Sequence, residues 1–351
     1  VNPGIGIGVR NLTADSDLVR SARGFRTERP PVWFMRQAGR SLPEYRKVRE
    51  GVSMLDSCLR PQLAAEITLQ PVRRHGVDAA VFFSDIVVPF KAAGVEVEIV
   101  PDVGPVMGTP VRTAAQARAL PRLEPDQLAP IVEAIGIVTD ELGATPLIGF
   151  AGAPFTLAAY LIEGRPSRDY LNTKALMYSD PDTWDAILSW AADASATFLR
   201  TQILSGASVV QLFDSWAGAL SLADYIAYVQ PYSARVLAAV ADLDVPRIHF
   251  GVATGELLVA MREAGADVMG VDHRIPLDVA NVRLGGTTPL QGNIDPAMLF
   301  TPWPVLRAHV DDCINRGKSA PAHILNLGHG VPPSTDPEVL TRLVAYVHGD
   351  Q

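Results

Sequence analysis

Short runs of apolar, β-branched or aromatic residues recur along the chain. Each closes on Gly, Pro, Asp or a charged residue and gives way to a stretch whose apolar positions return with helical period. Residues 32–35, 79–84, 147–150, 209–213, 247–250, 268–271, 289–291 and 324–327 read as eight strands. Helices are predicted over 61–75, 128–142, 181–204, 222–240, 256–264, 304–315 and 337–347, with a shorter turn at 276–282. Pro61, Pro181, Pro304 and Pro337 stand where a first helical turn tolerates a missing amide donor. Alternating buried strand and amphipathic helix is the mark of parallel βα units, and eight units predict a closed (β/α)8 barrel rather than a doubly wound sheet. The barrel is expected to occupy residues 30–351 as a single domain, preceded by a flexible segment, 1–29, whose glycines at 4, 6 and 8 belong to a fraying start. The run Val-Glu-Val-Glu-Ile-Val at 95–100 alternates strictly and predicts a half-exposed hairpin on the rim.

Composition narrows the partners. With 48% hydrophobic residues the chain can bury a large core, and a formal charge of -8 opposes polyanions, so nucleic acid is not expected to bind. No segment approaches the roughly eighteen uninterrupted apolar residues of a spanning helix. Cys58 and Cys313 are the only cysteines, far apart and without CxxC spacing, which suits a reducing cytoplasm and argues against a thiolate zinc site. No GxGxxG opens a helix after a strand, and no phosphate-binding GxxxxGK[ST] occurs, so neither dinucleotide nor nucleoside triphosphate is expected.

An anionic small molecule would then need a locally positive site. The run PVWFMRQAGR at 31–40 supplies one by delivering Arg36, Gln37 and Arg40 to a strand end, where they read as an anion clamp or, more plainly, as solvated turn residues. Asp85 lies inside Val81-Phe82-Phe83-Ser84 and Ile86-Val87-Val88-Pro89, so its carboxylate must be bound, paired or protonated. It is either a turn aspartate satisfied by backbone donors or a group facing the barrel mouth. His329, between Gly328 and Gly330, stands where a ligand can approach closely; Tyr160 and Ser215 could add hydroxyls to the same bowl, and the role of Asp214 stays open. The strand ends lack the paired histidines and carboxylate of a metal site. These residues indicate a small anionic substrate handled without metal or nucleotide, and they do not choose a reaction.

The segments PVWFMRQAGRSLPEYR and GFAGAPFTLAAYLIEG, with FFSDI, FDSWAG and NLGHG, resemble the signature blocks of the uroporphyrinogen decarboxylase family, collinear from about residue 30 to 347. The resemblance implies a single distorted (β/α)8 TIM barrel with its cleft at the carboxyl ends of the strands, usually a cytoplasmic homodimer. It also implies decarboxylation of the four acetate side chains of uroporphyrinogen III, giving coproporphyrinogen III for heme biosynthesis, with no metal or organic cofactor. Carried over residue by residue, Arg36, Arg40 and Arg49 are expected to bind substrate carboxylates, with Gln37 shaping and contributing to the same site. Asp85 is expected to gather the pyrrole NH groups, Phe213 to give an apolar contact, and Tyr160, Ser215 and His329 to give polar ones. Asp85 and Arg36 take the central catalytic roles, and the proton donor is left open between Tyr160, His329 and an acid positioned by Arg36. Ser41, where many members carry an aromatic, and Asp214, a place that can be glutamate, depart from the pattern. Two rival readings are a corrinoid-dependent methyltransferase, a sister family that usually carries zinc, and a porphyrinogen-binding barrel without catalysis.

Overall fold

The computed structural model describes residues 3–350. β1 (Ala80–Val81) is followed by a two-stranded antiparallel hairpin, β2 (Val97–Val100) and β3 (Gly104–Met107), which is the rim hairpin expected from the alternation at 95–100. The remaining strands are β4 (Leu147–Gly152), β5 (Val209–Asp214), β6 (Arg247–Gly251), β7 (Val268–Gly270), β8 (Leu290–Gln291) and β9 (His323–Ile324). Apart from the hairpin they form one curled, all-parallel sheet of seven strands in chain order. All six residues of β4 are buried, one face under the outer helices and the other in the packed interior of the curled sheet.

Seven of the eight predicted runs are therefore strands, and the first, at 32–35, is not. Val32 makes only an isolated parallel bridge to Leu325, while its carbonyl accepts from the Asp78 amide on the other side. The ladder stops there because side chains take the next donors: Phe34 N–H donates to Gln37 Oε1 and Met35 N–H to Asn326 Oδ1, both at 3.0 Å. The inward faces of these elements pack together, with Trp33, Met35, Val81, Ile148, Phe150, Val209, Ile248, Phe250, Val268 and Ile324 in one cluster. A polar chain crosses that interior: Trp33 Nε1 donates to Gln291 Oε1 at 3.1 Å, and Gln291 Nε2 donates to Gln211 Oε1 at 2.7 Å.

The helix Pro61–His75 has its predicted bounds, and Ala129–Leu142, Pro181–Ser205, Trp303–Gly317 and Pro337–His348 lie within three residues of theirs. The stretch predicted as one helix at 222–240 divides into Leu222–Tyr228 and Gln230–Ala238, because Pro231 has no amide to continue the ladder. Among the described residues no helix is long and apolar enough to cross a membrane.

The expected free segment at 1–29 is instead folded from residue 3, with Val1 and Asn2 outside the described residues. Pro3–Thr13 is helical and docks through Arg10 Nη1, which donates to the Ile203 carbonyl at 2.7 Å, and through Thr13 Oγ1, 2.7 Å from Ser208 Oγ. Asp17–Ala22 sends Leu18, Val19 and Ala22 into the interior cluster, so this helix is part of the core. Arg29 then grips Asp78 through two hydrogen bonds of 2.9 and 3.0 Å.

Candidate active site

The turn after Met35 holds Arg36 with φ 61, a left-handed backbone that costs a non-glycine residue about 1 kcal/mol or more. Gln37 fixes it. Its side chain is wholly buried, accepting from Phe34 N–H and donating to the Ala79 carbonyl at 3.0 Å, so Gln37 shapes the turn from within. Arg36 itself is exposed. Its aliphatic stem lies over Gly330, where a Cβ would come within 2.5 Å of Arg36 Cδ, so only glycine permits this approach.

Asp85 follows β1 and is half-buried, with Oδ1 accepting from Val87 N–H at 3.0 Å. Burial pushes its carboxyl up, while the Val87 amide and the Arg36 guanidinium pull it back. The two readings of Asp85 therefore merge: it is a turn aspartate, and it stands in the field of the clamp. Tyr160, on the helix Pro154–Glu163, packs edge-on against Trp216 with ring centroids 6.0 Å apart. Burial, reinforced by the Asp85 charge, pushes its phenol up to about 12, so it stays protonated at neutral pH. His329 Nδ1 accepts from Gly330 N–H at 2.7 Å, which assigns the ring proton to Nε2. Burial lowers its pKa, the Arg36 charge lowers it further, and the Gly330 amide already fills the lone pair a second proton would need. Arg36 thus acts electrostatically on Asp85, Tyr160 and His329 together, three residues that follow three different strands.

The family model "Uroporphyrinogen decarboxylase (URO-D)" matches residues 13–349. The chain belongs to the uroporphyrinogen decarboxylase family. Among its relatives, the uroporphyrinogen decarboxylase of Arthrobacter sp. (strain FB24) is 66% identical over 96% of this chain and 97% of its own length. That of Salinispora tropica is 62% identical over 95% and 90%. Among solved structures, a methyltransferase from Methanosarcina mazei superposes with TM-score 0.80 at 18% identity, covering 96% of this chain and 99% of its own. At that identity the likeness shows a shared fold.

The other residues carried over from the uroporphyrinogen decarboxylase pattern divide. Phe213 is half-buried and T-stacked between Phe150 and Phe250, with centroids at 5.4 and 6.0 Å, so it presents an apolar edge at the end of β5. Ser215 is half-buried beside it. Arg40 is exposed on the rim, 4.0 Å from Asp102 in the turn of the β2–β3 hairpin. Arg49, expected to bind substrate carboxylates, has its guanidinium largely engaged by its own loop. It donates to Tyr45 Oη at 2.7 Å, Val52 O at 2.9 Å and Ser57 Oγ at 3.1 Å, and it stacks on the Tyr45 ring. A groove of about 430 Å³ beside Leu120, Trp190 and Asp193 lies on the outer helices and contains none of these side chains.

Sequence reasoning left Asp214 ambiguous and missed its partners. Asp214 is fully buried, accepts from Thr156 Oγ1 at 3.2 Å and lies 3.5 Å from His249 Nε2. Thr156 Oγ1 in turn accepts from Trp216 N–H, so the hydroxyl ties the Tyr160 helix to the Trp216 turn and Asp214 orients it. Removing Asp214 takes the acceptor from the buried Thr156 hydroxyl and the carboxylate from beside His249. Asp214→Ala is expected to lose on the order of 3 kcal/mol of stability, read as a lowered urea midpoint at unchanged slope; a midpoint equal to wild type would show that the contact holds nothing.

Proposed function

We propose that this chain removes carbon dioxide from the four acetate side chains of uroporphyrinogen III, giving coproporphyrinogen III for heme biosynthesis, in the cytoplasm and without metal or organic cofactor. The observation that carries the reading is the half-buried Asp85 carboxylate held in the field of Arg36 at the end of β1.

A pyrrole acetate decarboxylates poorly because the electron pair of the breaking C–C bond needs a sink. Protonation of the adjacent ring carbon creates an iminium-like cation. The C–C pair then flows toward the ring, carbon dioxide leaves, and an exocyclic methylene forms. A second proton converts the methylene into a methyl, and the ring carbon releases the first. Asp85 as an anion beneath the pyrrole NH groups stabilises the cation, most strongly in a site shielded from water. A phenol near 12 and a histidine held neutral are both poor sources of the first proton. Their states favour an acid held by Arg36, either a water or the substrate's own carboxyl group. Phe213 packs against the apolar face of the macrocycle, Ser215 gives it a polar contact, and Arg40 meets outlying carboxylates at the rim.

In this reading the segment 31–35 fills the eighth position of a distorted (β/α)8 barrel, supported by its hydrogen bonds to Leu325 on one side and Asp78 on the other. A homodimer is supported by Leu222, Ile226, Val259 and Val282, which three neighbouring helices leave exposed to 44, 46, 43 and 77%. The test is anaerobic incubation with uroporphyrinogen III and separation of products by carboxyl number. Heptacarboxyl to pentacarboxyl intermediates followed by coproporphyrinogen are expected; persistence of the octacarboxyl substrate overturns the assignment.

A further inference from the structure

Arg274 is exposed at the end of β7, in a turn that is pinned from several sides. Asp272, 2% exposed, accepts from the Ala253 amide at 2.6 Å, the Arg274 amide at 3.1 Å and Arg274 Nη1 at 2.6 Å. Asn293 Nδ2 donates to the carbonyls of Asp272 and Ile275, at 2.9 and 2.6 Å, and fastens the same turn to the end of β8. Nη1 is the one guanidinium nitrogen of Arg274 that donates among the described residues, and the side chain remains 52% exposed. A buried carboxylate thus fixes the base of the fork and leaves its other face to solvent, which is how an arginine is preorganised for a second anion.

The position of this turn gives it a use. Gly328 is pressed against it, since a Cβ there would lie 2.3 Å from the His273 amide nitrogen, and Gly330 is pressed against the Arg36 stem. Gly328-His329-Gly330 is therefore sandwiched between Arg36 and the 272–274 turn, with an arginine on each side of a neutral histidine. Both arginine charges act on His329, in agreement with this packing. No carboxylate among the described residues pairs with Arg36, and Asp272 engages Arg274 through one nitrogen only. An anion seated beside His329 would meet positive charge from both sides of the loop.

We infer that Arg274 is a second carboxylate-binding residue, forming with Arg36 and His329 a subsite for one side-chain carboxylate of the substrate. The inference rests on the porphyrinogen reading above. It adds a residue that neither the sequence motifs nor the anion clamp at 36–40 indicated.

Steady-state kinetics of wild type, Arg274→Gln and Arg274→Lys, on octacarboxyl and pentacarboxyl porphyrinogens, test it. For Arg274→Gln, KM for the octacarboxyl substrate is expected to rise about tenfold, as for loss of one charge-assisted contact, with kcat changed less than about twofold and a weaker salt dependence of kcat/KM. Arg274→Lys should restore part of KM. A rise on both substrates identifies a propionate in the subsite, and a rise confined to the octacarboxyl substrate identifies an acetate. An unchanged KM on both substrates, or a fall in kcat and melting temperature without a KM effect, overturns the inference and leaves Arg274 a brace of the turn. Failure of wild type to decarboxylate overturns the porphyrinogen reading itself, so the two failures are separate.

Discussion

Asp85→Asn is expected to cut turnover by about 10²–10³-fold, the usual loss when a group aimed at developing charge is removed, while the protein stays folded. Asparagine retains an oxygen in the place that accepts the Val87 amide, so the turn after β1 keeps its hydrogen bond and only the negative charge is lost. Stability should move the other way. Burial raises the Asp85 carboxyl above the ordinary 3.8, so the folded state disfavours the ionised form more than the unfolded chain does. The folded protein therefore binds this proton more tightly, and the group subtracts stability at neutral pH. That penalty fades as pH falls through the raised folded value toward 3.8. Asparagine never ionises, so the variant should melt at or above the wild-type temperature at pH 7, with the advantage shrinking as the solution is acidified. Thermal melts across that window, paired with single-turnover carbon dioxide release, check both halves. Wild-type turnover would remove the electrostatic role, and a melting temperature several degrees lower would mean that the charge holds the fold.

The structure brings Asp85 and His329 within reach of the Arg36 charge, and each of the three stood out in the sequence by its own local signal: a charge after an apolar run, a carboxylate inside one, and a histidine between glycines. The internal bonds of Gln37 and Arg49 were not legible, because they depend on partners that local pattern does not reveal. Gln37 bonds to the Ala79 carbonyl, 42 residues away, and nothing in PVWFMRQAGR says that its amide turns inward. The chain's return through Val52 and Ser57 onto the Arg49 guanidinium could not be read from spacing. The fold divides in the same way. Strand runs and proline-started helices follow local periodicity, whereas the first run loses its ladder to Asn326, whose side chain arrives from 291 residues away. The N-terminal glycines argued for disorder by propensity, and docking through Arg10, 193 residues from its acceptor, prevailed. Asp214 was left open and Arg274 was missed for a related reason: each sits beside a recognisable strand end, but its meaning depends on Thr156 and His249 in one case and on Asp272 and the His329 turn in the other.

Arg36→Asn is expected to lower kcat/KM by roughly 10²-fold, as loss of a bidentate charge-assisted contact to substrate would, and to shift its acid limb toward higher pH. The shift follows from the opposition at Asp85, where the Arg36 charge counters burial. Without that charge the carboxyl rises further, and the anion that stabilises the cationic intermediate is lost at a higher pH on acidification. His329 should titrate higher as well, since Arg36 is one of the charges that lowers it. Asparagine suits the test because it accepts the left-handed backbone that Arg36 occupies at φ 61 better than most residues do, so stability should hold or rise and inactivity cannot be put down to unfolding. Arg36→Lys separates charge from shape: a lysine keeps the acid limb near its wild-type position, yet it lacks the planar fork, so KM stays raised. The pH dependence of kcat/KM for the three proteins decides. An Arg36→Asn profile that superimposes on wild type after scaling would break the link between the clamp and Asp85. A lysine variant with wild-type KM would show that the site asks only for a positive charge where we assign it a two-pronged grip on a carboxylate.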